Sequence, residues 1–212
     1  MALFNILPKT EFAFYYNHVS RKLSSNRLIV AVDDIRQFHK DNIRINKTHY
    51  PYTARIFKEK FVSYFSKYGA KIHFNTFKLQ NSKNITYGII RKQDLIHDLK
   101  LWETLWVSNL LMRPVNILQK DLDISNAQNE NLRSAWAFAA LMTNNGASEV
   151  DFYRHIVEVP QYQTYSKFFR LLDPEDPQKI VEDDLVNFKQ LYEPIVQTAF
   201  ENKFVLEDGV FK

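Results

Sequence analysis

The stretch Leu28–Asp34, with the sequence Leu-Ile-Val-Ala-Val-Asp-Asp, is the strongest indication of the fold in this chain. Its first five residues are apolar and three of them are β-branched, which is typical of a strand buried on both faces of a sheet. The acids that follow have two interpretations. Asp33 and Asp34 either hold a metal ion at the rim of the sheet, because Mg²⁺ prefers carboxylate oxygens, or begin a turn and cap the next helix.

The composition indicates one large globular domain or two small lobes. The chain has 212 residues, of which 45% are hydrophobic and 15% aromatic, enough for a sizeable core. It has no cysteine, which excludes disulfide bonds and thiolate zinc sites. The net charge of +4 fits an anionic partner such as a phospholipid surface and is too small to indicate nucleic acid. No apolar run has the roughly 20 residues of a membrane-spanning helix.

Hydrophobic periodicity predicts an α+β protein, with a mixed sheet first and helices afterwards. We expect an α/β lobe at residues 1–92 and a helical lobe at residues 93–212. The predicted strands are Phe12–Tyr16, Leu28–Val32, Lys71–Lys78 and Ile85–Ile90. The predicted helices are Ile35–Asn42, Thr53–Tyr68, Gln93–Met112, Ser125–Leu141, Ser148–Val157 and Ile180–Ala199.

Two of these elements are expected to be amphipathic. The helix Thr53–Tyr68 carries Ile56, Phe57, Phe61, Tyr64 and Phe65 at helical spacing, which predicts an apolar face on the core. The strand Lys71–Lys78 alternates, so Lys71, His73 and Asn75 are expected on a solvated face.

Histidines and a lysine close to this sheet are the candidate ligand residues. His39 and His49 follow the two acids, and histidine beside carboxylates can bind a metal or a phosphate. Their spacing of ten residues is more typical of loop and surface positions. His73 beside Lys71 can contact an anion or belong to a solvated strand face. Only four glycines are present, too few for a glycine-rich phosphate cradle.

The order of short motifs along the chain resembles one family. In sequence they are Val32-Asp33-Asp34, Phe38-His39-x-x-Asn42, Asn46-x-x-His49-Tyr50, Tyr68-Gly69-Ala70, Tyr87-Gly88-Ile89-Ile90, Leu95-x-x-Asp98-Leu99-x-x-Trp102, Arg113-Pro114-Val115, Asn131-Leu132-x-Ser134-Ala135 and Phe188-x-x-Leu191-Tyr192. Each is weak alone, but the ordered series from about Phe12 to Ile195 is specific. The chain resembles the mitochondrial phosphatidate cytidylyltransferases, also known as translocator-maintenance CDP-diacylglycerol synthases.

The resemblance implies a nucleotidyltransferase fold coupled to a helical domain. It also implies synthesis of CDP-diacylglycerol from CTP and phosphatidic acid with Mg²⁺, on the matrix face of the mitochondrial inner membrane. Such chemistry needs glycine and a small hydroxyl residue where the backbone approaches the triphosphate. It also needs carboxylates that hold the metal.

The chain departs from the family pattern at those chemical positions. Asn17, His18 and Val19 stand where the resemblance implies Gly-Ser-Gly, and Arg27 stands where it implies an aspartate. Thr164, within the stretch 163–166, replaces the acid of a Gly-Asp-Phe-Arg motif. A remnant nucleotide or lipid site would then consist of Asp33, Asp34, His39, His49, Lys71 and His73.

Because the residues at the catalytic positions are replaced while the scaffold residues are retained, we predict a catalytically inactive, degenerate member of the family. The prediction is an accessory subunit of a mitochondrial inner-membrane complex, such as a respiratory complex or ATP synthase, without metal or cofactor. Two alternatives stay open. One is an active cytidylyltransferase that uses CTP, Mg²⁺, Asp33 and Asp34. The other is a module that binds an anionic phospholipid, such as phosphatidic acid or cardiolipin, without turnover.

Two aromatic segments are the candidate partner-contact surfaces. Aromatic residues and arginine are enriched at interface cores, and a chain end rich in apolar residues needs a surface to lie on. The residues concerned are Tyr162, Tyr165, Phe168, Phe169, Arg170, Phe204 and Phe211. Alternatively, the first four, all aromatic, close the cleft that the nucleotide occupies in the family. The expected partners are protein subunits and anionic phospholipid; nucleic acid and a transmembrane segment are not expected.

Overall fold

A computed structural model describes residues 4–20, 23–65, 69–78, 84–162 and 176–199, together with 206–207 and 210–211. It divides into two compact units. The first comprises Met1–Asp98 with Val115–Ser125, and the second comprises Leu99–Pro114 with Asn126–Lys212. The predicted α+β class is confirmed, because a mixed five-stranded sheet is combined with several helices.

The secondary structure follows the predicted order, with one additional strand in the sheet. The strands are β1 Phe12–Ser20, β2 Leu23–Val32, β3 Ile72–Lys78, β4 Asn84–Arg91, β5 Asn116–Gln119, β6 Leu206–Glu207 and β7 Val210–Phe211. The α-helices are α1 Ile35–Ile45, α2 Tyr52–Phe65, α3 Lys92–Leu101, α4 Val107–Leu110, α5 Leu122–Met142, α6 Glu149–Glu158 and α7 Pro177–Ala199. Short 3₁₀ turns occupy Phe4–Ile6, Lys47–His49 and Val159–Tyr162. No helix in the described part of the chain is long and apolar enough to cross a membrane.

The strand β2 lies at the centre of the sheet, whose order is β3-β4-β2-β1-β5. It pairs in parallel with β4 and antiparallel with β1, and the remaining pairs are antiparallel. Residues Leu28–Val32 are at most 2% exposed. Their continuous apolar run is explained by this position, because a central strand has packed layers on both faces.

Helix α1 covers one face of this sheet. The core on that face contains Phe38 of α1 together with Ala13, Leu28, Val30, Val32, Tyr87 and Ile89 from three strands. In β4, Gly88 is tightly packed against neighbouring side chains. A Cβ there would lie 2.6 Å from Ile72 Cδ1 and 2.8 Å from Ile29 Cδ1, so only glycine leaves these side chains undisturbed.

The second unit packs helices around an aromatic core. Trp136 of α5 lies 4.3 Å from Phe152 of α6 between ring centroids. The hydroxyl of Tyr192, on α7, is buried and donates to the Met112 carbonyl at 2.9 Å. Ser148 and Asp151 form a capping box that fixes the start of α6.

The predicted helix Gln93–Met112 is wrong as a single element. It is interrupted after Leu101, where Trp102 (φ 54°) and Leu105 (φ 53°) adopt left-handed backbone conformations. Such conformations cost about 1–2 kcal/mol for residues other than glycine, so tertiary contacts must offset the strain. One of these contacts is the hydrogen bond that Trp102 Nε1 donates to Asn131 Oδ1 at 2.7 Å.

For one helix and one strand, the prediction of which side is buried is also wrong. On α2, Ile56, Phe57 and Tyr64 are 53%, 59% and 55% exposed rather than packed on the core. On β3, Asn75 is buried although it was expected on the solvated face, while Thr76 is exposed. Both errors have one cause: the pattern gives a period but not which face meets the neighbouring element.

Candidate functional site

Asp33 and Asp34 lie where β2 ends and α1 begins. The Asp34 carboxylate accepts hydrogen bonds from the backbone N–H of Arg36 at 2.9 Å and of Gln37 at 3.0 Å. Asp34 is therefore the N-cap of α1, and this contact accounts for an acid at that position. Asp33 is exposed beside it.

The positions where the resemblance implies catalytic residues lie at the other end of β2. Strands β1 and β2 form a hairpin in which Tyr16 faces Arg27, Asn17 faces Asn26 and Val19 faces Ser24. Arg27 and Asp33 are six positions apart, which is about 20 Å along an extended strand. The structure therefore does not bring Asp33 and Asp34 together with Arg27 or with residues 17–19.

Three of the predicted ligand residues do meet, in a buried group of polar side chains that we name the histidine–tyrosine cluster. Its members come from α1, the turn after it, β3 and β4. They are His39, Asn42, His49, Tyr50, His73, Asn75 and Tyr87. The sequence did not predict the roles of Asn42, Tyr50, Asn75 and Tyr87, although His39 and Asn42 lie one helical turn apart and so share a face.

The Tyr87 hydroxyl is the centre of the cluster. It accepts hydrogen bonds from Asn42 Nδ2 at 2.8 Å and Asn75 Nδ2 at 3.2 Å. His49 Nδ1 lies 3.0 Å from the same oxygen. Because the two amides occupy the lone pairs of the oxygen, the hydroxyl proton is donated to His49 Nδ1.

The Tyr50 hydroxyl forms a second branch. It accepts from Asn42 Nδ2 at 2.9 Å and lies 2.8 Å from His39 Nδ1. Donation of the Tyr50 proton to His39 Nδ1 satisfies both groups and leaves the proton of His39 on Nε2. That nitrogen is buried and has no hydrogen-bond partner among the residues that the structure describes. The His39 and His73 rings meet edge to face, with centroids 5.0 Å apart.

Burial keeps this cluster uncharged at neutral pH. Desolvation, and to a smaller extent the neighbouring His73, lowers the pKa of His39 to about 3. Desolvation also lowers the pKa of His49 and of His73, and it raises the pKa of Tyr87 to about 12. Neutral imidazoles offer no positive charge to a phosphate. The arrangement therefore fastens α1 and the turn after it to the sheet.

The remaining predicted site residues fall in other places. Lys71 precedes β3 with a left-handed backbone (φ 57°). The replaced position Thr164 and the predicted contact residues Tyr165, Phe168, Phe169, Arg170 and Phe204 lie outside the described residues, as do the side chains of Tyr162 and Phe211. Among the residues that the structure describes, no three histidine or acidic side chains are placed to hold a metal ion together.

Comparison with known proteins identifies the class. Residues 16–210 match the family described as "Phosphatidate cytidylyltransferase, mitochondrial". The chain belongs to this family, and the sequence resemblance is confirmed.

Three relatives carry the same description. The Danio rerio protein is 35% identical over 174 residues, covering 80% of this chain and 50% of the relative. The Homo sapiens protein is 32% identical over 174 residues, covering 80% of this chain and 38% of the relative. The Saccharomyces cerevisiae protein is 31% identical over 191 residues, covering 86% of this chain and 48% of the relative. The chain thus spans half or less of the length of these relatives.

Proposed function

We propose that this chain is a non-catalytic member of the family. In this proposal it serves as an accessory subunit of a mitochondrial inner-membrane complex, on the matrix side. The proposal is based on the β1–β2 hairpin. This hairpin contains residues 17–19, where nucleotidyl transfer needs an open backbone, and Arg27, where it needs an acid.

The backbone of the hairpin is paired at the positions where a triphosphate would have to approach it. Residues 17–19 are extended and lie opposite residues 24–26, so half of their backbone N–H groups point at the partner strand. A phosphate cradle instead needs successive amides that converge on the ligand, usually at glycines. Arg27 adds a positive charge where the resemblance implies a metal-binding carboxylate, and a cation near a metal ion is repelled.

The parts of the family pattern that serve folding are intact in this chain. The motif residues His39, Asn42, His49 and Tyr50 join Tyr87 in one buried network, and Asp34 caps α1. A chain that keeps the folded scaffold of the family but lacks its catalytic residues is suited to binding other molecules through its surface. In such a complex, the contact segments would be those containing Tyr162, Tyr165, Phe168, Phe169 and Arg170, and Phe204 and Phe211.

Catalysis is the second candidate function. The names of the relatives support it more directly than they support an accessory role, since all of them are described as phosphatidate cytidylyltransferases. Asp33 and Asp34 would have to bind Mg²⁺ in this case. They do not fit a dedicated site, because in the described part of the chain no third histidine or acidic side chain joins them, and Asp34 Oδ1 already accepts two backbone N–H groups.

An assay for CDP-diacylglycerol separates these candidates. The purified chain is incubated with CTP, Mg²⁺ and vesicles that contain phosphatidate, and the lipid product is measured. We expect no product above a control without protein. Product that disappears in Asp33→Ala, and persists in Asp183→Ala as a matched exposed acid, would overturn the proposal and establish the second candidate.

The accessory role has its own test. Affinity purification from gently solubilised mitochondria should recover the tagged chain together with other subunits in fixed proportion, at the mass of a large complex. Recovery of the chain alone, across several mild detergents, would contradict the role.

A further inference from the structure

Helix α2 exposes large apolar and aromatic side chains to solvent on one side. Tyr52 is 75% exposed, and Ile56, Phe57 and Tyr64 are each more than half exposed. At 3.6 residues per turn, these four residues fall with Thr53 and Lys60 into an arc of about 140°. That arc contains four large apolar or aromatic side chains, a threonine, a lysine and, near its edge, the buried Ser63, and no acid.

The opposite side of α2 provides its attachment to the first unit. Ala54 and Val62 are buried with Tyr50, and Ile43 of α1 packs against them. The acid of α2, Glu59, is half-buried and lies 3.6 Å from Arg36 of α1. This side of α2 therefore packs against α1.

The segment that contains α1 and α2 also carries the positive charge of the protein. Residues 35–65 have seven basic and two acidic side chains, a net charge of +5 in a chain whose total is +4. Arg44, Lys47 and Lys60 are exposed. The rest of the chain is thus close to neutral, and an anionic partner would be attracted to this segment.

We propose that the exposed arc of α2 docks on the surface of an anionic phospholipid bilayer. Tyrosine, phenylalanine and isoleucine side chains enter the boundary between headgroups and acyl chains, and tyrosine keeps its hydroxyl at the polar level. Lysine and arginine around them bind anionic headgroups electrostatically. A bilayer matches this mixture better than an acidic protein would, because four apolar side chains on one arc need an apolar phase to enter. Docking does not depend on whether the chain is catalytic.

Vesicle flotation tests the proposal with the full chain. Vesicles of phosphatidylcholine alone are compared with vesicles that also contain phosphatidylserine, which is anionic but is not a cytidylyltransferase substrate. We expect the chain to float with the anionic vesicles and to be released by high salt. The triple variant Tyr52→Ser/Ile56→Ser/Phe57→Ser should weaken this partition about tenfold or more, because each exposed apolar side chain contributes to insertion. Lys60→Glu should weaken it at least fivefold, about the contribution of one basic residue near the membrane.

The control variant is Leu122→Ser/Leu141→Ser on α5, where the two leucines are 77% and 87% exposed. It removes exposed apolar surface elsewhere and should float like the unmodified chain. Thermal melting of all variants verifies that they fold. Equal flotation of the triple variant and the unmodified chain would overturn the proposal, as would a failure of the unmodified chain to bind anionic vesicles. If the unmodified chain does not float but its arc cross-links to another protein, a protein partner replaces the bilayer.

Discussion

Replacing Asn42 by alanine should destabilise the first unit by more than the loss of one hydrogen bond would. Its Nδ2 donates to the hydroxyls of both Tyr50 and Tyr87, and its Oδ1 accepts from Asn46 Nδ2 at 2.8 Å. The residue is fully buried, so water cannot replace these partners without entering the core. The side chain thus joins α1 both to β4 and to the turn that follows α1.

The magnitude follows from the number of bonds. A hydrogen bond between neutral groups contributes about 1 kcal/mol, so three lost bonds lower the free energy of unfolding by about 3 kcal/mol. In a chain of this length, 1 kcal/mol corresponds to roughly 2–4 °C in the melting temperature. Asn42→Ala should therefore melt about 6–12 °C below the unmodified chain.

Circular dichroism and hydrogen exchange are the suitable measurements. The three tryptophans, Trp102, Trp106 and Trp136, all belong to the second unit, so tryptophan fluorescence would not report on the cluster. Exchange should accelerate in peptides from α1 and β4. The control is Asn129→Ala on the exposed side of α5, which should change stability by no more than about 0.5 kcal/mol. If Asn42→Ala melts within about 2 °C of the unmodified chain, the cluster does not hold α1 to the sheet.

Three further predictions concern the same unit. The pKa of His39 is lowered to about 3, so the unfolded chain binds a proton first as the pH falls. Stability is therefore full above pH ~6.5 and declines below it, by about 2 kcal/mol from this residue between pH 7 and pH 5. Urea midpoints should show that slope, and His39→Gln should reduce it; an unchanged slope would refute the assignment. Gly88→Ala should cost about 1–3 kcal/mol in urea unfolding because its Cβ would overlap Ile72 and Ile29, and a neutral result would mean that the sheet relaxes. Asp34→Ala should cost about 1 kcal/mol by loss of the cap while Asp33→Ala changes little, and equal effects would contradict the capping role.

Local patterns predicted much of the fold. The apolar run Leu28–Val32 predicted a buried strand, and its place between β4 and β1 confirms that prediction. The alternation in residues 71–78 predicted the strand β3, and a second strand was predicted at residues 85–90, where β4 lies. These features depend on neighbours within a few positions of the chain, so propensity and period contain the information. The short strand β5 lacked such a signal, because its pairing with β1 spans about a hundred residues of sequence.

Local sequence patterns were enough to predict the family, the α+β class and the buried strand. The roles of the polar residues became clear only from their three-dimensional contacts. Asp33 and Asp34 looked equivalent until only Asp34 proved to cap α1, and the three histidines suggested a ligand site until tyrosines and asparagines from other elements surrounded them. The bond between Asn42 and Tyr87 joins residues 45 positions apart. Whether a polar side chain is charged and exposed or neutral and buried depends on such distant partners, and no local pattern contains them.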